Sequence, residues 1–240
     1  MTPNIVKRGN MPSDVKEFSE EAVKKLYKAG QDLCYLLNQG YKMKGASVFV
    51  GNHYLLSERQ RLALNRAISS KHCIEIRKEK EIDRIPINST VNIDGFNTII
   101  TLEIALSNSL LLRCMDGAIR DLAGLRGTYR LIDKTQTAIL LIGEILKINK
   151  VNRVVFYLDS PISNSGKLKQ HILEVLDEFD YEVQVETIPN VDSVLENLDN
   201  VVTSDAVILD RCRSWINLNK MIMENHLKGY PLIDFITLQE

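Results

Sequence analysis

From residue 90 onward, short apolar runs of strand character alternate with segments of helical periodicity, and that alternation admits few architectures. "TVNI", "NRVVFYL", "YEVQVETI", "NVVTS" and "LIDFI" read as strands. "KTQTAILLIGEILKINK", "SGKLKQHILEVLDEF", the short "VDSVLENL" and the long "AVILDRCRSWINLNKMIMENHL" read as helices. Strand followed by helix, repeated, predicts an α/β fold with a mostly parallel sheet and helices on both faces. "TIITLEIALSNSLLLRCMDGAIRDL" is ambiguous between a hairpin turning at Ser107-Asn108 and a helix followed by a strand.

The first 88 residues have a different texture. Residues 13–39 predict one helix: Ser13 and Asp14 can cap it, and Phe18, Ala22, Leu26, Leu33, Leu36 and Leu37 recur near helical spacing before Gly40. "GASVFVGN" predicts a second helix and "SERQRLALNRAISS" a third, where Ser57 and Gln60 have the spacing of a capping box. Arg59, Arg61 and Arg66 on that third helix give the outline of a helix-turn-helix reader, although helical arginines often form only a solvated face. The charged segment "IEIRKEKEIDRIPINST" reads as an edge strand or connector. It divides a small helical domain, 1–88, from an α/β domain, 89–240.

Charge follows the same division. Residues 1–90 hold 16 Lys and Arg against 10 Asp and Glu, whereas residues 91–240 hold 14 against 21. A basic front half suits a polyanion and an acidic back half suits cations. The most apolar run, "TAILLIGEILKI", is short and interrupted by Glu144, and the first ten residues lack a signal-like apolar core, so a cytoplasmic protein without a membrane partner is expected. Cys34, Cys73, Cys114 and Cys212 form no C-x-x-C pair, which predicts reduced thiols rather than a zinc site or a disulfide framework. His53, His72, His171 and His226 show no metal-ligand spacing.

Three strand-like runs end on aspartate: Asp94 in "TVNIDGFN", Asp159 in "RVVFYLDSP" and Asp205 in "VVTSDAVILD". Burying a carboxylate at a strand end is costly unless it is paired or the strand tip opens into a cleft. Ligand sites of parallel sheets lie outside the carboxyl ends of the strands. If these strands are neighbours, three carboxylates meet and raise one another's pKa unless cations neutralise them. Hard cations such as Mg²⁺ or Mn²⁺ bind such oxygens. Asp116 is a fourth candidate, with Asp121 close behind and Asp210 on the last helix; Asn97, Thr203 and Ser204 can hydrogen-bond the site. The competing reading is that each aspartate simply caps the helix that follows it.

Two loops suit phosphate. "SPISNSGKLKQ" places Ser163 and Asn164 before a helix start, with Lys167 and Lys169 behind. It is not a P-loop, which would need Gly at Pro161 and Ser or Thr at Leu168. "DLAGLRGTYR" sets Arg120, Arg126 and Arg130 around Gly124 and Gly127, a loop able to contact a nucleic-acid backbone or to pair with the domain's acids.

At "NIDGFN", "LDSP" and "VVTSDAVILD" the sequence resembles the PIN-like nuclease superfamily, including its NYN branch. The resemblance implies a Rossmann-like (PIN-like) three-layer sandwich and a metal-dependent ribonuclease or structure-specific nuclease. It assigns Asp94 and Asp205 to the first-strand and Thr-x-Asp acids, with Asp159 and Asp116 as further members. Nearly the whole chain also resembles an uncharacterised prokaryotic, largely archaeal family, domain of unknown function 434, through "LLNQGYKMKGASVFVGNHYLLSERQRLALNRAI", "DGAIRDLAGLRGTYR" and "LDSPISNSGKL".

The resulting expectation is a Mg²⁺- or Mn²⁺-dependent nuclease acting on RNA ahead of DNA. Asp94, Asp159 and Asp205 would bind metal, Asp116 would complete the catalytic set, and Lys167 would lie near the scissile phosphate. Arg59, Arg66 and the two loops would hold nucleic acid, and a homo-oligomer is allowed. The alternatives are a non-catalytic nucleic-acid-binding or regulatory module and a small-molecule phosphoesterase or nucleotide-binding enzyme. A haloacid-dehalogenase-type phosphatase is disfavoured, since "DGFNT" lacks a second aspartate two residues after the first.

Overall fold

The computed structural model describes residues 7–124 and 127–239. Its first part is helical: α1 (Asp14–Glu17), α2 (Glu20–Asn38), α3 (Met43–His53), α4 (Glu58–Ala67) and α5 (Lys71–Lys80). The helix expected over 13–39 is broken at Phe18-Ser19, because Ser19 is extended and its hydroxyl accepts from the Ala22 N–H at 3.4 Å, capping α2. The capping box of α4 is formed, with Ser57 and Gln60 exchanging side-chain and backbone bonds. The segment expected as an edge strand or connector begins as helix instead, its first residues forming most of α5. Ser70 caps it, and Arg77, Lys78 and Lys80 lie in its last turn, favourably placed at the negative end of the helix dipole.

The second part runs β1 (Thr90–Asp94), α6 (Gly95–Leu106), β2 (Leu111–Arg113), β3 (Ile119–Asp121), α7 (Thr135–Ile148), β4 (Arg153–Asp159), α8 (Ser165–Leu176) and β5 (Glu182–Ile188). It continues through α9 (Asp192–Leu195), β6 (Val201–Val202), α10 (Ala206–Arg211), α11 (Leu218–His226) and β7 (Leu232–Asp234). The expected long last helix is two helices. Between α10 and α11 the chain turns inward, buries Trp215 completely, and lets its indole N–H donate to the Arg77 carbonyl at 2.7 Å.

The fold is mixed α/β. Its main sheet has the order β5-β4-β1-β6, and every pairing in it is parallel. Alternation along the strands covers both faces. Val91, Ile93, Val154, Phe156 and Leu158 join the cluster that includes residues of α6, α7, α8 and α11, while Val155, Tyr157 and Val201 pack with residues of α9, α10 and Trp215.

A second sheet, β3-β2-β7, pairs β2 antiparallel to β3 and parallel to β7. Leu111 and Ile119 turn toward the α6 cluster, while Leu112, Leu122 and Ile233 join the core built from α2, α3 and α4. Helix α6 therefore lies between two sheets and is buried along almost its whole length. That resolves the ambiguity of "TIITLEIAL" as helix, since a helix covered on all sides carries no amphipathic period. The hydrophobic core of the N-terminal helices extends across residue 88 to Phe235. Cys34, Cys114 and Cys212 are buried free thiols and Cys73 is a half-buried one. Among the described residues no helix is long and apolar enough to cross a membrane.

Candidate functional site

Strands β1 and β6 are neighbours, yet the helices that follow them go to opposite faces of the sheet: α6 packs in one cluster and α10 in the other. Such a divergence opens a crevice at the carboxyl ends of the strands. A cleft of about 360 Å³ lies there. Asp94, Asp159 and Asp205 all line it, together with Asp121, Asn97 and Ser204. The three aspartates do converge, Asp94 and Asp159 from the ends of β1 and β4 and Asp205 from the cap of α10, three residues beyond the short β6.

Each is fixed by local backbone. Asp94 ends β1 and caps α6, accepting from the Asn97 N–H at 3.4 Å. Gly95 follows it because a Cβ there would meet Leu158 and the Tyr157 carbonyl, so glycine lets α6 start flush against β4. Asp205 caps α10 through one oxygen, Oδ1, which accepts from the N–H groups of Val207 at 2.7 Å and Ile208 at 3.3 Å. Asp159 Oδ1 accepts from the Val191 N–H at 3.3 Å. The cap reading holds for Asp94 and Asp205, which cap α6 and α10, but not for Asp159, since the helix after it has Asn164 at its N-cap. Among the described residues Oδ2 of Asp159 and Oδ2 of Asp205 have no partner.

Asp94 is the buried member. The Thr203 hydroxyl donates to its Oδ2 at 2.8 Å. Burial pushes the carboxyl up to about 7, the Thr203 and Asn97 donors oppose this, and the charges of Asp205 and Asp159 add to it. Asp159 is also raised by burial. Asn97 holds the β6–α10 loop, its Oδ1 accepting from both the N–H and the hydroxyl of Ser204 at 2.8 Å.

The cleft contains a fifth carboxylate, one that the sequence reading missed. Asp192, at the start of α9, lines it, raised by burial and by the charges of Asp205 and Asp159. Its signal was present in "NVDSV", directly after β5, but Asp192 stands four residues beyond that strand rather than at its tip.

Asp116 stands elsewhere. Its side chain is wholly buried between Arg77 and Arg120, each at 2.6 Å. Burial alone would raise this carboxyl, but the two guanidiniums hold it below its ordinary value. Asp210 likewise pairs with Arg77 at 2.6 Å, away from the cleft. Arg120 reaches the cleft, but its donors are engaged by Asp116, the Arg66 carbonyl at 2.9 Å and the Ser204 carbonyl at 2.5 Å. Asp121 pairs with Arg66 at 3.1 Å on the cleft wall.

The arginines of α4 have partners within this chain, Arg59 in Asp14, Arg61 in the Leu56 carbonyl and Asn52, and Arg66 in Asp121 and the Ala123 carbonyl, and Arg66 also lines the cleft. Ser163 and Asn164 lock against the 127–129 segment, with Asn164 donating to the Tyr129 carbonyl at 2.7 Å. Lys167 is exposed and Lys169 half-buried, and neither lines the cleft; nor does the exposed Arg130. Arg126 lies outside the described residues.

The cleft supplies hard oxygen donors. Among the described residues no three His, Cys, Asp or Glu side chains stand at a spacing that would hold a metal by themselves. Mg²⁺ is commonly held by one or two carboxylates and several waters. The unpartnered oxygens of Asp159 and Asp205, beside a buried Asp94 whose ionised form a cation would stabilise, fit that mode.

A family model described as "Domain of unknown function (DUF5616)" matches residues 86–221, more than half the chain. The chain belongs to the DUF5616 family. The DUF5616 region contains the whole main sheet and every carboxylate of the cleft. A second model, "Protein of unknown function (DUF434)", matches residues 25–80, so that resemblance is confined to the N-terminal helices rather than extending over nearly the whole chain. The curated protein titled "Uncharacterized protein MJ0935", from Methanocaldococcus jannaschii, is 38% identical over 184 residues, covering 76% of this chain and 88% of the relative. No solved structure matches.

Proposed function

We propose that the cleft is the active site of a Mg²⁺- or Mn²⁺-dependent nuclease, built on a Rossmann-like domain of the PIN/NYN kind and acting on RNA in preference to DNA. The observation that carries this reading is the convergence of Asp94, Asp159 and Asp205, from the ends of β1 and β4 and from the cap of α10 beyond β6, on one cleft where the helices diverge. Asp159 and Asp205 would hold the cation through their free oxygens, with Asp94 behind them and Asp192 at the rim. A bound divalent cation supplies an activated water and charge neutralisation for phosphodiester hydrolysis. Asn97 and Ser204 keep the Asp205 loop against Asp94. The charges of Asp94, Asp159, Asp192 and Asp205 would repel a polyanion unless a cation intervened, which is the electrostatic reason for coupling substrate binding to metal.

The test is incubation of labelled single-stranded RNA and DNA with the purified protein and Mn²⁺ or Mg²⁺, beside Asp94→Asn and Asp205→Asn variants. Cleavage by the wild type that both variants lose supports the reading. Equal cleavage by all three would sink it.

A further inference from the structure

The described residues expose few large rings, and three of them gather on one surface. Tyr35 on α2, Tyr41 in the α2–α3 turn and Phe49 on α3 are 64%, 60% and 68% exposed. Tyr35 and Phe49 face one another across a shallow groove of about 160 Å³, whose lining also includes His53 and Tyr54. Gly45, one helical turn before Phe49, has open space where a side chain would project. The rings are not assembled to fill a core, because the core of these helices is made by Leu26, Leu33, Ala46 and Val50 beneath them.

The helices that carry these rings also carry exposed lysines, beside one acid in the groove. Lys28, Lys42 and Lys44 are exposed and have no acidic partner among the described residues. The groove's acid, Asp32, is engaged by the Tyr54 hydroxyl at 2.7 Å. Exposed rings interleaved with free lysines are what a single-stranded nucleic acid needs, faces for its bases and cations for its phosphates.

Helix α4 packs against α3, which carries Phe49, and contributes Asn65 and Arg66 to the lining of the acidic cleft. Arg61 of α4 bonds the Val48 carbonyl and Asn52 of α3, while Asn65, one turn further along the same face of α4, lines the cleft. We infer that the α2–α3 surface is a stacking platform for single-stranded RNA, feeding the strand along α4 into the cleft. The substrate class this adds, single-stranded rather than duplex RNA, rests on the nuclease reading, but binding at the platform does not require cleavage.

The experiment is fluorescence anisotropy of a labelled twelve-nucleotide single-stranded RNA, alone and annealed to its complement, in EDTA so that cleavage plays no part. Wild type, Phe49→Ala and Tyr35→Ala are compared. The expected result is binding of the single strand over the duplex, weakened about fivefold or more by each ring deletion. Phe49 and Tyr35 are exposed, so both variants should keep the wild-type melting temperature, which is measured alongside. Wild-type binding that Phe49→Ala and Tyr35→Ala leave unchanged overturns the platform. So does a wild-type dimer, seen by light scattering, that these substitutions dissociate, because the rings would then belong to a self-association surface. Loss of cleavage chemistry with intact platform binding would count against the nuclease reading alone.

Discussion

The Nε of Arg120 donates to the main-chain carbonyl of Ser204 at 2.5 Å, from behind the loop that carries Asp205. Arg120 is in turn held by Asp116, and Asp116 by Arg77 of α5, so a buried chain of charges connects the N-terminal helices to the back of the cleft. A lysine could not reproduce this fork of contacts. Arg120→Lys should therefore lower unfolding free energy by about 3 kcal/mol, the scale of breaking one partner of a buried ion pair. Urea denaturation measures it, and a loss below about 1 kcal/mol would show the network to be dispensable.

Asp94 should make the protein less stable as pH rises. Its carboxyl is raised from an ordinary 3.8 to about 7 in the folded state, chiefly by burial. Below about pH 4 folded and unfolded chains are both protonated. Between about 4 and 7 only the folded chain keeps the proton, so stability falls across that window and the penalty is complete above it. Asp94→Asn should thus be nearly neutral at pH 4 and stabilising by on the order of 2–4 kcal/mol at pH 8, while abolishing cleavage. Thermal melts at the two pH values decide it; a variant less stable than wild type at pH 8 contradicts the assignment.

Asp205→Asn separates charge from structure. Asparagine caps a helix as well as aspartate does, so α10 should remain and the melting temperature should barely move. Mn²⁺ affinity should nonetheless fall at least about tenfold, as read by calorimetry. Unaltered affinity would return Asp205 to the role of a simple cap.

Ser57→Ala removes a capping box and also the hydrogen bond from Ser57 to Glu17 at 2.8 Å. The expected cost is about 1–2 kcal/mol, measured by chemical denaturation, with no effect on cation affinity at the cleft.

What could be read from the residues, and what could not, has a physical pattern. Strands β1 and β4 declared themselves because they are covered on both faces and end abruptly in a carboxylate, and the three cleft aspartates were legible for the same reason. Helix α5 was not, because it buries only Ile74 and Arg77 and so shows no apolar stripe. The break between α10 and α11 was hidden by Trp215, whose place in the core depends on bridges to Glu81 and Val201, far away in sequence. Asp116 looked like Asp94 or Asp159 on paper. Only the two arginines brought against it by the fold separate a structural acid from one open to solvent.

The shared core beneath the N-terminal helices has a consequence for synthesis. Leu26, Leu33 and Leu64 emerge from a ribosome long before Ile233 and Phe235, which close the same core. Until β7 pairs with β2, one flank of the nascent helices stays exposed to water and to other chains. That flank needs cover until residues 232–235 have been made, and a chain stalled before residue 230 would carry an unfinished surface open to quality control.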